Sequence, residues 1–141
     1  MGTPFQRFDA FPEALAEKKH DFSVDVFKIA LTNGANPPLA ANSFLSDLTQ
    51  VSYASFGPRT LTTVSSSQTG GTYKWVAADF TLTAVFAAPP FRYVVLYNDS
   101  APLKDLVGYY DYSVNLTLLA GQTLIIDFSA ADGTLKIRPA V

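Results

Sequence analysis

Cysteine is absent from this 141-residue chain, and histidine and tryptophan each occur once. Without cysteine the chain can form neither a disulfide nor a thiolate metal site. Charged residues make up only 16% of the sequence, and the formal net charge is −2. The longest basic run is the pair Lys18-Lys19, which gives nucleic-acid binding little electrostatic support. We therefore expect no nucleic-acid partner.

The first residues also lack the patterns that direct a chain to a membrane or out of the cell. Residues 1–14 do not have the basic-then-apolar layout of a signal peptide. Gln6 stands where a myristoylation motif requires Ser or Thr. No apolar run approaches the roughly 20 residues of a membrane span. We expect synthesis in the cytoplasm in a soluble form, with no membrane partner.

The composition favours one β-rich domain. Hydrophobic residues make up 48% of the chain, enough for a core that needs no covalent staples. The sequence contains neither an internal repeat nor a linker, so we expect a single domain over residues 1–141. Residues 1–8 and the connection 34–58 are candidate extended arms or loops. The connection is long, and Asn36-Pro37-Pro38 forces it into an extended, irregular path.

One helix is predicted, over residues 8–19. Phe8, Phe11 and Leu15 recur at a spacing that forms one apolar face. Asp9 can cap the start of this helix.

The rest of the chain alternates between apolar and polar residues as β-strands do. Residues 65–71, a Ser/Thr/Gly run, are predicted to be a turn, and Asp132-Gly133 is a hairpin signal. Because no long helices separate the strands, we predict a mainly β fold, an antiparallel β-sandwich or jelly-roll-like domain with one short N-terminal helix. The predicted strands are 23–32, 59–64, 72–86, 91–97, 107–112, 113–119, 123–128 and 134–138.

Five of the seven tyrosines lie between Pro89 and Tyr112. The aromatic and β-branched runs 91–97 and 107–112 predict two neighbouring strands near the centre of a sheet. The polar residues 98–105 between them predict an exposed loop.

Catalytic chemistry finds little support in the residues. His20 is the only histidine, and no Gly-x-Ser-x-Gly elbow supplies a nucleophile for it. We expect a solvated or locally capping histidine and no enzyme activity.

Asp99, Asp105 and Asp111 lie six residues apart around the tyrosine-rich loop. Two or three of them could meet to bind a hard cation such as Ca²⁺, or they are ordinary loop and strand-end aspartates. We expect no metal and no cofactor, and we keep these three as weak metal candidates.

The tyrosines, with Trp75 and Arg92, can serve as core, as a protein interface or as a stacking platform for a ligand. Low charge and the irregular connection 34–58 favour an interface over a ligand site. The candidate interface residues are Tyr97, Asn98, Asp99, Leu103, Lys104, Tyr109, Phe44 and Phe56.

Four phrases stand out along the chain: HDFSVDVFKIALTN at 20–33, SSQTGGTYK at 66–74, PFRYVVLYND at 90–99 and LVGYYDY at 106–112. In this order they resemble a group of small structural proteins of tailed bacteriophages and prophages. The resemblance runs from about residue 5 to 138 and carries no catalytic signature.

The resemblance implies a virion structural protein, a capsid decoration or cement protein that binds across major capsid subunits and stabilises the head. It implies synthesis in the host cytoplasm, a place on the head surface of the virion, and a homo-oligomer, either a dimer or a trimer. The alternative is a tail- or fibre-associated virion protein that binds a host glycan or receptor. A third possibility is a small β-sandwich hydrolase or lectin-like domain.

Overall fold

A computed structural model describes residues 5–129 and 133–138, and over these the chain is mainly β with antiparallel pairing, as the sequence predicts. The one α-helix of the described residues, α1, spans Phe11–Ala16, and a 3-10 turn spans Leu45–Asp47. The strands are β1 (Gln6–Arg7), β2 (Phe27–Thr32), β3 (Thr63–Thr69), β4 (Thr72–Ala77), β5 (Phe80–Thr83), β6 (Phe91–Asn98), β7 (Leu106–Leu116), β8 (Thr123–Ile126) and β9 (Leu135–Ile137).

The largest sheet has the strand order β1-β7-β6-β2, so β6 and β7 are its central neighbours, as predicted. Strand β6 is covered on both faces. Successive side chains of a strand point to opposite sides, and those of β6 are buried in two different clusters. Val94 and Leu96 belong to the main core, while Tyr93, Val95 and Tyr97 belong to a second cluster on the other face.

The main core lies between this sheet and two smaller ones, of order β3-β4-β9 and β5-β8. The ring of Trp75 on β4 lies 5.0 Å from that of Phe27 on β2. Leu82 of β5 and Ile126 of β8 are fully buried in the same cluster. Packing of separate antiparallel sheets over one core gives a sandwich-like domain, and the jelly-roll strand order stays a prediction.

The second face of the large sheet is covered by the two segments that the sequence suggested as arms. Phe8 is buried there, and Leu45 and Leu48 pack against the same cluster. Backbone hydrogen bonds hold these segments to the body: Asp9 N donates to Ala40 O, and Val51 N donates to Leu31 O. Phe8, Leu45 and Leu48 are therefore packed on the sheet, whereas residues 35–37 and 39–41 of the connection are exposed; residues 1–4 lie outside the described residues.

The helix is shorter than the predicted span 8–19. Ala10 occupies the N-cap position and no side chain caps it, so Asp9 does not have the predicted role. The chain leaves the helix at Lys18, whose φ of 63° lies in the left-handed region and does not continue an α-helix.

The serine run is a strand and not a turn. Strand β3 contains it entirely, and the turn is reduced to Gly70-Gly71, which both have positive φ and adopt it without steric cost. Pairing with β4 explains the difference, because Ser66 Oγ lies 2.7 Å from Tyr73 Oη across the two strands.

Other strand boundaries also differ. The predicted strand 72–86 divides into β4 and β5, and the predicted strands 107–112 and 113–119 merge into β7. The last strand pairs with β4 and not with the strand before it. In the predicted hairpin signal, Asp132 lies outside the described residues.

Gly108 allows β1 to approach β7. It pairs with Arg7, and a Cβ at this position would lie 2.5 Å from the carbonyl oxygen of Gln6 and against the ring of Phe5. We predict that Gly108→Ala displaces β1 and lowers the free energy of unfolding by about 1–3 kcal/mol. Urea denaturation measures the loss, and hydrogen exchange of the Phe8 amide, which donates to Val107 O, measures the displacement.

Gly57→Ala is the control for this substitution. A Cβ at Gly57 would meet nothing within 4 Å, although the φ of this residue is 74°. The substitution therefore costs only the strain of a left-handed backbone at alanine, about 1–2 kcal/mol. Protection of the Phe8 amide should survive in this control. An unchanged Phe8 amide in Gly108→Ala would contradict the prediction.

Candidate interaction surface

The buried side-chain amide of Asn98 holds the loop between β6 and β7 in place. Asn98 is fully buried, and its Nδ2 lies 3.1 Å from Lys19 O and 2.7 Å from Asp25 Oδ2. Its Oδ1 accepts a hydrogen bond of 2.9 Å from Ser100 N. Asn98 thus joins the exit of α1, the following turn and the loop. It offers no surface to a partner, and we remove it from the candidate interface.

His20 lies in the core beside this amide, so the expectation of a solvated histidine is wrong. Its ring stacks 5.3 Å from that of Phe11, and its Nδ1 is 3.1 Å from Asn98 Nδ2. The two hydrogens of Asn98 Nδ2 are shared among three neighbours, Lys19 O, Asp25 Oδ2 and His20 Nδ1. The other ring nitrogen of His20, Nε2, is buried and has no hydrogen-bond partner among the described residues.

We predict that stability falls as the pH is lowered from about 7 to 5. Burial lowers the pKa of His20, although the carboxylates of Asp105 and Asp25 act to raise it. The unfolded chain then binds the proton first, near pH ~6.5. The free energy of unfolding is therefore highest above this pH and decreases as the pH falls towards the pKa of His20 in the folded chain. The decrease is about 1.4 kcal/mol for each pH unit that separates the two pKa values.

Urea unfolding at stepped pH measures this dependence, and His20→Gln is the matched control. His20 is the only histidine, so the control should show a flat profile over the same interval. Equal slopes in the two proteins would assign the effect to other groups.

Asp99, a weak metal candidate, is held by two lysines. Its Oδ2 lies 3.0 Å from Lys28 Nζ, and its Oδ1 lies 2.7 Å from Lys104 Nζ. The hydrogen bond from Lys104 contributes most to lowering the pKa of Asp99. Asp99 and Lys104, both candidate interface residues, therefore hold the loop in shape.

Asp111 and Asp105 have different surroundings. Arg92 donates to both carboxylate oxygens of Asp111, at 2.7 and 3.1 Å, and these bonds lower the pKa of Asp111. Asp105 is buried near the start of β7. Within residues 5–129 and 133–138, no three His, Asp or Glu side chains are grouped closely enough to hold a metal ion.

The remaining interface candidates divide by exposure. Tyr97 and Phe56 are buried and offer no surface in this fold. Tyr109 is half-buried, and its hydroxyl donates to Gln6 Oε1 at 3.1 Å. Phe44 is half-buried and Leu103 is 62% exposed.

Phe44 and Leu103 line a groove between α1 and the loop 98–105, with a volume of about 320 Å³. The groove also contains Asp105, so it unites three of the residues that the sequence singled out. We call it the acidic groove and define it by its lining residues, which are Ala10, Glu13, Ala14, Glu17, Lys19, Ser43, Phe44, Pro102, Leu103 and Asp105.

An apolar surface that sequence reasoning missed lies where β5 leads to β6 and β7 leads to β8. Ala84 N donates to Gln122 O, and Ala88 N donates to Leu118 O, so the two connections run side by side. Between these bonds the chain presents exposed apolar residues, which we call the apolar patch: Val85, Phe86, Ala87, Leu119 and Ala120.

The predicted strand 72–86 hid this patch, because it continued the strand as far as Phe86. In the structure β5 ends at Thr83, and Val85 N turns aside to bond Ser55 O. The absence of charge could have revealed the patch in the sequence, since residues 80–91 and 112–126 contain no charged side chain.

Strand β3 forms an edge of its sheet and is exposed along nearly its whole length. Its sequence, TVSSSQT, contains no charged residue and no proline. Natural edge strands are commonly protected by such residues. Among residues 5–129 and 133–138, no strand pairs with the outer side of β3, so this part of the structure leaves the edge open to pairing with another chain.

Comparison of the chain with family models, curated proteins and solved structures gives no match. None of the helices in the described ranges is long and apolar enough to span a membrane.

Proposed function

We propose that this chain is a structural protein of a bacteriophage particle, a decoration or cement protein that binds across major capsid subunits on the head surface. The apolar patch carries the proposal. Val85, Phe86 and Leu119 are 76%, 53% and 57% exposed, on connections without charge. Contiguous apolar surface on a soluble domain is typical of a protein-binding site. The resemblance of the sequence phrases to phage structural proteins suggests the class of partner.

The open edge of β3 supports a second contact. A partner strand can add to such an edge through main-chain hydrogen bonds, with little demand on side-chain identity. Because capsids are symmetric, a homo-oligomer, dimer or trimer, fits around an axis of the shell. We propose that β3 contributes to this self-association or to a contact with the capsid subunit.

A decoration protein can bind its shell through several contacts that are each weak. A stable specific interface buries about 1,200–2,000 Å², and a protein that touches several subunits at once gains further from avidity. Stabilisation of a head then requires shape and uncharged contact area more than a single strong site.

Copy number in purified virions tests the proposal. We expect on the order of hundreds of copies for each particle, located on the head, as a symmetric shell requires. Particles without the protein should lose resistance to heat or osmotic shock. A count of about six to a few dozen, on the tail, would instead support the tail- or fibre-associated alternative.

Phe86→Asp tests the apolar patch directly. A charge in a buried apolar contact should weaken rebinding of the purified protein to particles that lack it by at least about tenfold. Because Phe86 is exposed in the free chain, its free energy of unfolding should change by no more than about 0.5 kcal/mol. Binding is measured by co-sedimentation with the particles.

Val24→Asp is the matched control, because Val24 is 74% exposed and lies outside the patch. It introduces the same charge and should leave binding unchanged. Equal binding by the Phe86 variant and the wild-type protein would exclude the patch as the contact.

A further inference from the structure

The acidic groove is preformed. Leu106 N donates to Ser43 O and Leu45 N donates to Lys104 O, both at 3.0 Å, so segment 43–45 is fixed to the end of the loop. The Asn98 amide holds the same loop to the exit of α1. The walls on either side of the groove therefore keep their spacing without a ligand, and a partner group can enter without ordering the chain first.

Small side chains open the groove on the helix side. Ala10 and Ala14 lie four residues apart and so share one face of the helix. A larger residue at either position would fill the space that they leave. Phe44 and Leu103 supply apolar surface from the other side.

Three acidic residues line this space, Glu13, Glu17 and Asp105, together with one lysine, Lys19. Asp105 as a whole is only 8% exposed, and its carboxylate accepts no hydrogen bond from the described part of the chain. The carboxylate oxygens are nevertheless not fully enclosed. A cationic ligand in the groove can therefore reach them and donate charge-assisted hydrogen bonds.

An organic cation fits the groove better than a metal ion. The carboxylates are spread around the space and are not grouped as metal ligands within the described ranges. An arginine side chain has an apolar stem for the alanine and phenylalanine surfaces. Its guanidinium has five N–H donors that point in different directions, which suits separated carboxylates.

We propose that the acidic groove binds an arginine side chain of a partner protein, with apolar residues flanking the arginine. Identification of that partner as a major capsid subunit rests on the proposed function. The chemistry of the groove is independent of it, because it follows from the residues that line the groove.

A capped pentapeptide with a central arginine between leucines is the probe, and the same peptide with neutral, isosteric citrulline is its control. Titration into the ¹⁵N-labelled protein should shift the amides of Ala14, Phe44 and Leu103 in a saturable manner. The citrulline peptide should bind at least about tenfold more weakly, because it cannot form charge-assisted hydrogen bonds.

Glu13→Gln combined with Glu17→Gln should weaken binding of the arginine peptide severalfold, and Asp105→Asn should weaken this binding further. The glutamates are exposed, so the double variant stays folded even if the buried substitution does not. Asp127→Asn is the charge control: this exposed carboxylate lies outside the groove, and its removal should leave binding unchanged.

Equal binding of the two peptides, shifts confined to other residues, or no saturable binding would each overturn the arginine site. The titration uses no capsid, so such a result leaves the copy-number test of the proposed function intact. Conversely, a low copy number on the tail with an intact peptide site would overturn the capsid assignment alone.

Discussion

Burial of β6 on both faces is the constraint on which the rest of this domain depends. Seven of its eight residues are buried and the eighth, Arg92, is half-buried. One face is covered by the two smaller sheets. The other requires a second layer, and Phe8, Leu45 and Leu48 supply it. Chain that could have extended towards a partner is therefore used to complete the core.

The same constraint explains what the sequence could and could not predict. The strand pair β6–β7, its central position and the mainly β class follow from dense aromatic and β-branched runs, which are read locally. Leu82 with Ala84 and Ile126 with Phe128 are pairs two residues apart, and each pair is buried, as strand alternation requires. The second layer could not be predicted, because the partners of Phe8 and Leu45 are far away in the sequence. Tyr97 and Asn98 resembled contact residues for this reason, although that layer and the polar network cover them.

Polar residues around the loop 98–105 were recognised as a group, but their roles were not. A sequence pattern shows that Asp99, Asn98 and Lys104 lie near one another; it does not show which of them bond to each other. In the structure, Asp99 bonds two lysines and Asn98 bonds three separate chain segments. Once these groups are satisfied internally, Asp105 alone among the aspartates of that region stays buried without a hydrogen-bond donor. The candidate site therefore consists of groups that the hydrogen bonds and ion pairs of the loop do not use.

Two of the three proposed contacts, the apolar patch and the acidic groove, lie at opposite ends of β6. Ala88, which is bonded to Leu118 beside the apolar patch, comes just before the strand, and Asn98, which anchors the loop of the acidic groove, ends it. Eight residues at about 3.3 Å each separate these ends by roughly 25 Å. Because β6 is packed on both faces, a buried element sets this spacing. In the proposed role, an uncharged contact at one end and the proposed cation-binding groove at the other would hold two neighbouring subunits at a fixed spacing, which is the mechanical requirement of a protein that bridges joints in a shell.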